Sequence, residues 1–127
     1  MASQKILIVD DDDSILRLLE KRLQSAGYQI IKAATGKEAV AKAKLFMPHL
    51  ILMDIMLPDI DGPEAFELIR ENPDTAHLPV LFLSGIVSEQ AGQQPSVKIK
   101  DEDYPAVAKP VDFEVLDQLI KEYILEN

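Results

Sequence analysis

Five side chains of this chain could do chemistry together: Asp10, Asp11, Asp54, Ser84 and Lys109. Each closes or directly follows a short apolar run. A carboxylate at the tip of a buried strand is costly unless something pairs it. Three carboxylates at one edge repel one another, and without a partner one of them is driven toward protonation. A hard divalent cation relieves that repulsion. An all-oxygen donor set suits Mg²⁺, which binds through one or two carboxylates and keeps waters for a phosphoryl group. Lys109 adds a point positive charge and Ser84 a hydroxyl donor. The set describes a site for a phosphoryl group beside a carboxylate. A carboxylate can itself be the nucleophile and form an aspartyl-phosphate. Cation and lysine would then neutralise charge on the transferring oxygens.

These residues meet only if the elements before them end at one edge. Lys5–Val9 and Leu50–Asp54 are apolar without alternation, as in strands buried on both faces. Residues 79–84 form a similar run ending in a hydroxyl, and residues 104–108 are a fifth strand candidate before Lys109-Pro110. Residues 28–34 read as a more exposed strand. From Ser14, the residues Ile15, Leu16, Leu18, Leu19, Leu23 and Ala26 make one apolar stripe, the mark of an amphipathic helix. Asp12 or Asp13 can cap it, and Gly27 suits the position after its end. Residues 37–47 form an Ala-rich helix stopped by Pro48. A third helix begins near Pro63 and ends at Asn72-Pro73. A last one follows Asp112, with Phe113, Leu116, Leu119, Ile120, Tyr123 and Ile124 facing inward. Strands alternating with helices give an α/β domain with a parallel sheet. Such sheets bind ligands at the carboxyl ends of their strands, where the five side chains collect.

The totals exclude several other functions. At 127 residues the chain is one domain by length. With no cysteine there is no disulfide, thiol nucleophile or thiolate metal site, and two histidines, His49 and His77, do not make a histidine-rich one. Both are read as structural residues beside Pro48 and Pro79. A net charge of −9 argues against nucleic acid as a direct partner. No long apolar stretch could span a membrane and the first residues lack a signal-peptide shape, so the expected location is the cytoplasm.

At this point the sequence resembles a receiver domain of the two-component response regulators. The matching residues are Ile6-Leu7-Ile8-Val9-Asp10-Asp11-Asp12, then Leu52-Met53-Asp54-Ile55-Met56-Leu57-Pro58 with Asp61-Gly62, then Leu83-Ser84-Gly85, then Ala108-Lys109-Pro110. The resemblance covers essentially the whole chain, in order. It implies a flavodoxin-like, three-layer (βα)₅ fold with a five-stranded parallel sheet of order 2-1-3-4-5. It implies Asp54 as phosphoacceptor, with Mg²⁺ ligated by Asp11, Asp54 and the backbone carbonyl of Met56, and with Asp10 acting through water. Ser84 would hydrogen-bond the phosphoryl group and Lys109 would pair with it, the Lys109-Pro110 bond being typically cis. The implied partners are a sensor histidine kinase or phosphotransfer protein upstream and an effector protein or domain downstream. Residues 1–127 are expected to be a single receiver domain with no output domain in this chain.

Two departures modify that expectation. The family's switch aromatic lies three residues before the lysine, where this chain has Ala106; Tyr104 is two residues earlier on the same strand face. The segment between Ser84 and Lys109 is longer than usual and poor in helix formers, and Val97-Lys98-Ile99-Lys100 alternates like a short exposed strand. The family's fourth helix, around residues 87–94, is therefore expected to be short or irregular, and the serine–aromatic coupling absent or rerouted. Met56 and Ile86, each two residues beyond a site residue, are apolar and cannot orient an attacking water, which predicts slow self-dephosphorylation. The chain is thus expected to take part in phosphotransfer without being a turnover enzyme. Two other functions compete with this one. One is an interaction module of the same fold that does not use phosphorylation. The other is a phosphatase resembling the haloacid dehalogenase group, which needs a second acid where Met56 stands.

Overall fold

The computed structural model describes residues 3–85 and 96–125. In chain order they form β1 (Lys5–Val9), α1 (Asp13–Ser25), β2 (Gln29–Ala33), α2 (Gly36–Phe46), β3 (Leu50–Asp54), α3 (Gly62–Glu71), β4 (Val80–Ser84), β5 (Ser96–Ile99), β6 (Glu102–Ala108) and α4 (Phe113–Leu125). The sheet order is β2-β1-β3-β4-β6-β5. All pairings are parallel except the last, between β5 and β6.

The unbroken apolar runs of β1, β3 and β4 have their physical cause in two cores. On one face Leu7, Val9, Ile51, Met53 and Phe82 meet Ala39 and Ala43 of α2 and Ala65, Phe66 and Ile69 of α3. On the other, Ile6, Ile8, Leu50, Leu52, Leu81 and Leu83 meet Leu16, Leu19 and Leu23 of α1 and Leu116, Leu119 and Ile120 of α4. The two cores use alternate residues of the same strands. The result is the expected three-layer, flavodoxin-like arrangement. The helix ends follow local chemistry. The Asp12 carboxylate accepts the Ser14 and Ile15 amides, Asp61 accepts that of Glu64, and Asp112 accepts those of Glu114 and Val115. Gly27 follows α1 with φ +100°, a left-handed position that glycine fills without strain. No helix among the described residues is long and apolar enough to cross a membrane.

The sheet corrects one expectation. It has six strands instead of five, and it is not wholly parallel. The alternation read at Val97-Lys98-Ile99-Lys100 becomes β5, which pairs back onto β6 through a two-residue turn at Lys100 and Asp101. Both turn residues have positive φ, 50° and 68°, the combination a tight type I′ hairpin requires. The last parallel strand accordingly starts at Glu102 rather than at Tyr104. Its Glu102–Pro105 half pairs with β5, and its Ala106–Ala108 half pairs with β4. The expected short helix at residues 87–94 lies outside the described residues.

Candidate functional site

Register alone brings the acids together. Val9 lies beside Met53 in the β1–β3 ladder, so Asp10 and Asp54, one residue further on, leave the sheet at the same level. Asp54 lies beside Leu83, and Ser84 lies beside Ala108 with Lys109 next in the chain. The Lys109 amide donates to the Ser84 carbonyl at 2.9 Å, which carries the ladder one residue past its end. The Lys109–Pro110 peptide is cis, as the resemblance implied.

Asp10 is fully buried and Asp54 is 8% exposed. Their compensation is Lys109, whose Nζ lies 2.6 Å from Asp10 Oδ2 and 3.2 Å from Asp54 Oδ2. The second oxygen of Asp10 accepts the Asp12 amide at 2.9 Å. Asp11 is exposed at the mouth of the site. Among the described residues, Asp10, Asp11 and Asp54 are the only group of three or more acids, histidines or cysteines whose ligand atoms converge, all within 4.8 Å of one another. This donor set of hard oxygens fits Mg²⁺. Ser84 is buried at the neighbouring strand end.

Electrostatics sets the resting state. Burial pushes the Asp54 carboxyl above its ordinary pKa, and the negative charge of Asp10 adds to the push. Lys109 and the Ile55 backbone N–H oppose this without reversing it. For Lys109, burial works against the charge, but hydrogen bonds and attraction from Asp10 and Asp54 outweigh it and raise its pKa. The lysine therefore stays charged and serves as the site's own counter-ion.

The remaining candidates separate cleanly. Met56, two residues beyond Asp54, is 74% exposed. His49 and His77 line a cavity of about 290 Å³ with Pro48 and Pro79, well away from the acids in the sequence of strand ends, and His49 Nδ1 accepts the Lys5 amide. Ala106 is fully buried beside Phe82. Tyr104 sets its ring edge against Phe66, 4.8 Å between centroids, and donates its hydroxyl to Glu102 Oε2 at 2.8 Å. One contact was not legible in the sequence. Asp59, in the segment between β3 and α3, reaches across to the first amides of α2. Its partners lie 22 and 23 residues away, and no local pattern signals them.

A sequence profile of the response regulator receiver domain family matches residues 6–121. A probable transcriptional regulator, ycf27, of Porphyridium aerugineum is 33% identical over 121 residues, which are 95% of this chain and 48% of that protein. The chain thus spans about half the length of that curated relative. Among solved structures, the chemotaxis response regulator CheY4 of Vibrio cholerae has a TM-score of 0.81 at 29% identity, covering 96% of this chain and 99% of its own. The receiver domain of sensor histidine kinase PA1611 from Pseudomonas aeruginosa PAO1, solved with a magnesium ion coordinated in its active site cleft, has a TM-score of 0.79 at 28% identity. It covers 97% of this chain and 98% of its own.

A carboxyl with a raised pKa favours folding fully below its unfolded pKa, and that contribution is lost as pH rises through the folded value. At neutral pH without metal, Asp54 therefore weakens the fold. Asp54→Asn is expected to raise the thermal midpoint by a few degrees at pH 7, with the gain shrinking toward pH 4 as the wild-type carboxyl protonates. Calorimetry across that range, in chelator, checks it.

Proposed function

The chain belongs to the response regulator receiver domain family of two-component systems, and we propose that it accepts a phosphoryl group on Asp54 from a phosphohistidine donor, with Mg²⁺ bound at Asp10, Asp11 and Asp54. One observation carries this reading: a buried carboxylate at a strand end, held by a lysine and flanked by two further acids.

The roles follow from position. A carboxylate oxygen of Asp54 attacks phosphorus, a P–O bond forms as the P–N bond breaks, and the imidazole leaves, taking its proton from solvent. Asp11 and Asp54, with the backbone carbonyl of Met56, would hold the cation, and Asp10 would act through water. Bound Mg²⁺ supplies neutralisation of charge on the transferring oxygens. Lys109 exchanges its contact with Asp54 for one with the phosphoryl oxygens while Asp10 keeps it in place. Ser84 would hydrogen-bond the phosphoryl group.

The donor would be a sensor histidine kinase or phosphotransfer protein, and the reader a downstream effector. The chain supplies a nucleophile that is consumed and slowly restored, so it would not act as a turnover enzyme. A phosphatase would need an acid where the apolar Met56 side chain stands. The interaction-module reading draws on the buried Ala106, where the family's aromatic would stand, and on the β5–β6 hairpin, which gives the sheet an antiparallel edge.

Beryllofluoride, a phosphoryl mimic, is expected to bind only with Mg²⁺ and to shift the amide signals of Asp54, Ser84 and Lys109. Asp54→Asn abolishes the shifts. Wild-type protein that binds none under these conditions would be the interaction module. Once formed, the phosphoprotein should persist well beyond seconds in Mg²⁺ buffer, because Met56 cannot hold an attacking water. Met56→Asn should shorten that lifetime, and wild-type decay within seconds contradicts the assignment.

A further inference from the structure

The loop between β3 and α3, residues 55–61, follows the phosphoacceptor and carries Met56. It is pinned at both ends. The Gly62 amide donates to the Ile55 carbonyl at 2.7 Å. A Cβ on Gly62 would collide with the Asp54 carbonyl oxygen and come within 2.9 Å of Ile55 Cα. At the far side, the two carboxylate oxygens of Asp59 take one amide each from α2: Gly36 N to Oδ1 at 2.8 Å and Lys37 N to Oδ2 at 2.9 Å. Ile60 rests directly on Gly36, where an added Cβ would lie 2.5 Å from Ile60 Cγ1 and 2.7 Å from its carbonyl oxygen.

The ordinary role for such an aspartate is to cap a helix. Helix α2 already has that service from its own residues. Thr35 Oγ1 accepts the Glu38 amide at 3.0 Å, and Glu38 Oε1 accepts the Ala34 amide at 2.6 Å, a local variant of the reciprocal capping box. Asp59 takes the two amides that this arrangement leaves over. The bonds tie two segments far apart in sequence, and the segment they constrain is the one next to Asp54. Desolvation pushes the Asp59 carboxyl up, but the amides of Lys37 and Gly36, with those of Ile60 and Asp59 itself, outweigh it and hold the pKa below its usual value, so the group stays ionised as the bonds require.

We infer that Asp59 is a positioning residue: by gripping the N-terminus of α2 it fixes the loop from which the Met56 backbone and Asp54 would bind Mg²⁺. This rests on the phosphoacceptor reading above. Outer residues that orient ligands commonly change metal affinity by about 10–100-fold when removed. Coupling of this kind is reciprocal, so the ion should also tighten the grip.

The test uses the full chain and Mg²⁺ alone, with no phosphoryl donor. Mg²⁺ affinity is read by amide chemical-shift titration, and hydrogen exchange is followed at Gly36 and Lys37. In wild-type protein, saturating Mg²⁺ should slow exchange at both amides. Asp59→Ala should expose them to exchange, weaken Mg²⁺ binding about tenfold and remove the effect of Mg²⁺ on their exchange. Asp59→Asn, which keeps one acceptor oxygen, should fall between the two. Asp59 is exposed, so neither change removes buried packing. If either variant loses protection at Gly36 and Lys37 yet binds Mg²⁺ as wild type does, the positioning role is wrong while the phosphoacceptor reading stands. If wild-type protein does not bind Mg²⁺, that reading fails and the positioning role with it.

Discussion

Everything at the functional edge depends on one lysine between two buried carboxylates. Lys109 Nζ lies 2.6 Å from Asp10 and 3.2 Å from Asp54, in a place where neither acid could stay charged alone at low cost. The pairing is imperfect for Asp54, whose pKa stays raised by burial and by its neighbour Asp10. A buried ion pair of this sort is weak evidence for stability. It is better understood as a resting arrangement. Asp54 is left short of positive charge, and a cation at Asp10 and Asp11 would supply it. Two buried acids beside a third are a poor way to build a core; on the reading proposed above they keep a nucleophile ready.

The sheet makes that arrangement rigid. β1, β3 and β4 are buried on both faces, so their registers cannot slip without exposing apolar side chains to water. Those registers place Asp10 and Asp54 at one level and Ser84 one residue beyond it on the neighbouring strand. Glycine does the close work around them. Gly62 lets α3 start hard against the Asp54 carbonyl, and Gly36 lets Ile60 settle on α2.

Much of this was legible in the sequence, for a physical reason. Strands such as Leu50–Asp54 have no polar face, and that pattern fits only a sheet covered on both sides. Asp10, Asp54, Ser84 and Lys109 then fall at strand ends, which is where the structure puts them. The edge of the sheet was read less well. The alternation of Val97-Lys98-Ile99-Lys100 showed a strand, but its pairing depends on a turn at Lys100 and Asp101 that has neither glycine nor asparagine. The usual hairpin signal was therefore missing. The Asp59 contact was not readable at all, because its partners Gly36 and Lys37 are brought to it by the fold and not by any local pattern. At Ala106 the small side chain is buried beside Phe82, and Tyr104 places its ring against Phe66 instead. The aromatic of this strand thus belongs to the α3 side of the hairpin.

The central claim is that the carboxylate of Asp54 is a nucleophile that works with a cation. It is tested most directly by exposing the chain to a small-molecule phosphoryl donor such as acetyl phosphate, with and without Mg²⁺, and mapping the product by mass spectrometry after borohydride trapping. One phosphoryl group per chain, on Asp54 and only with Mg²⁺, is the predicted result. No incorporation with Mg²⁺ present, or incorporation that survives Asp54→Ala, would contradict it.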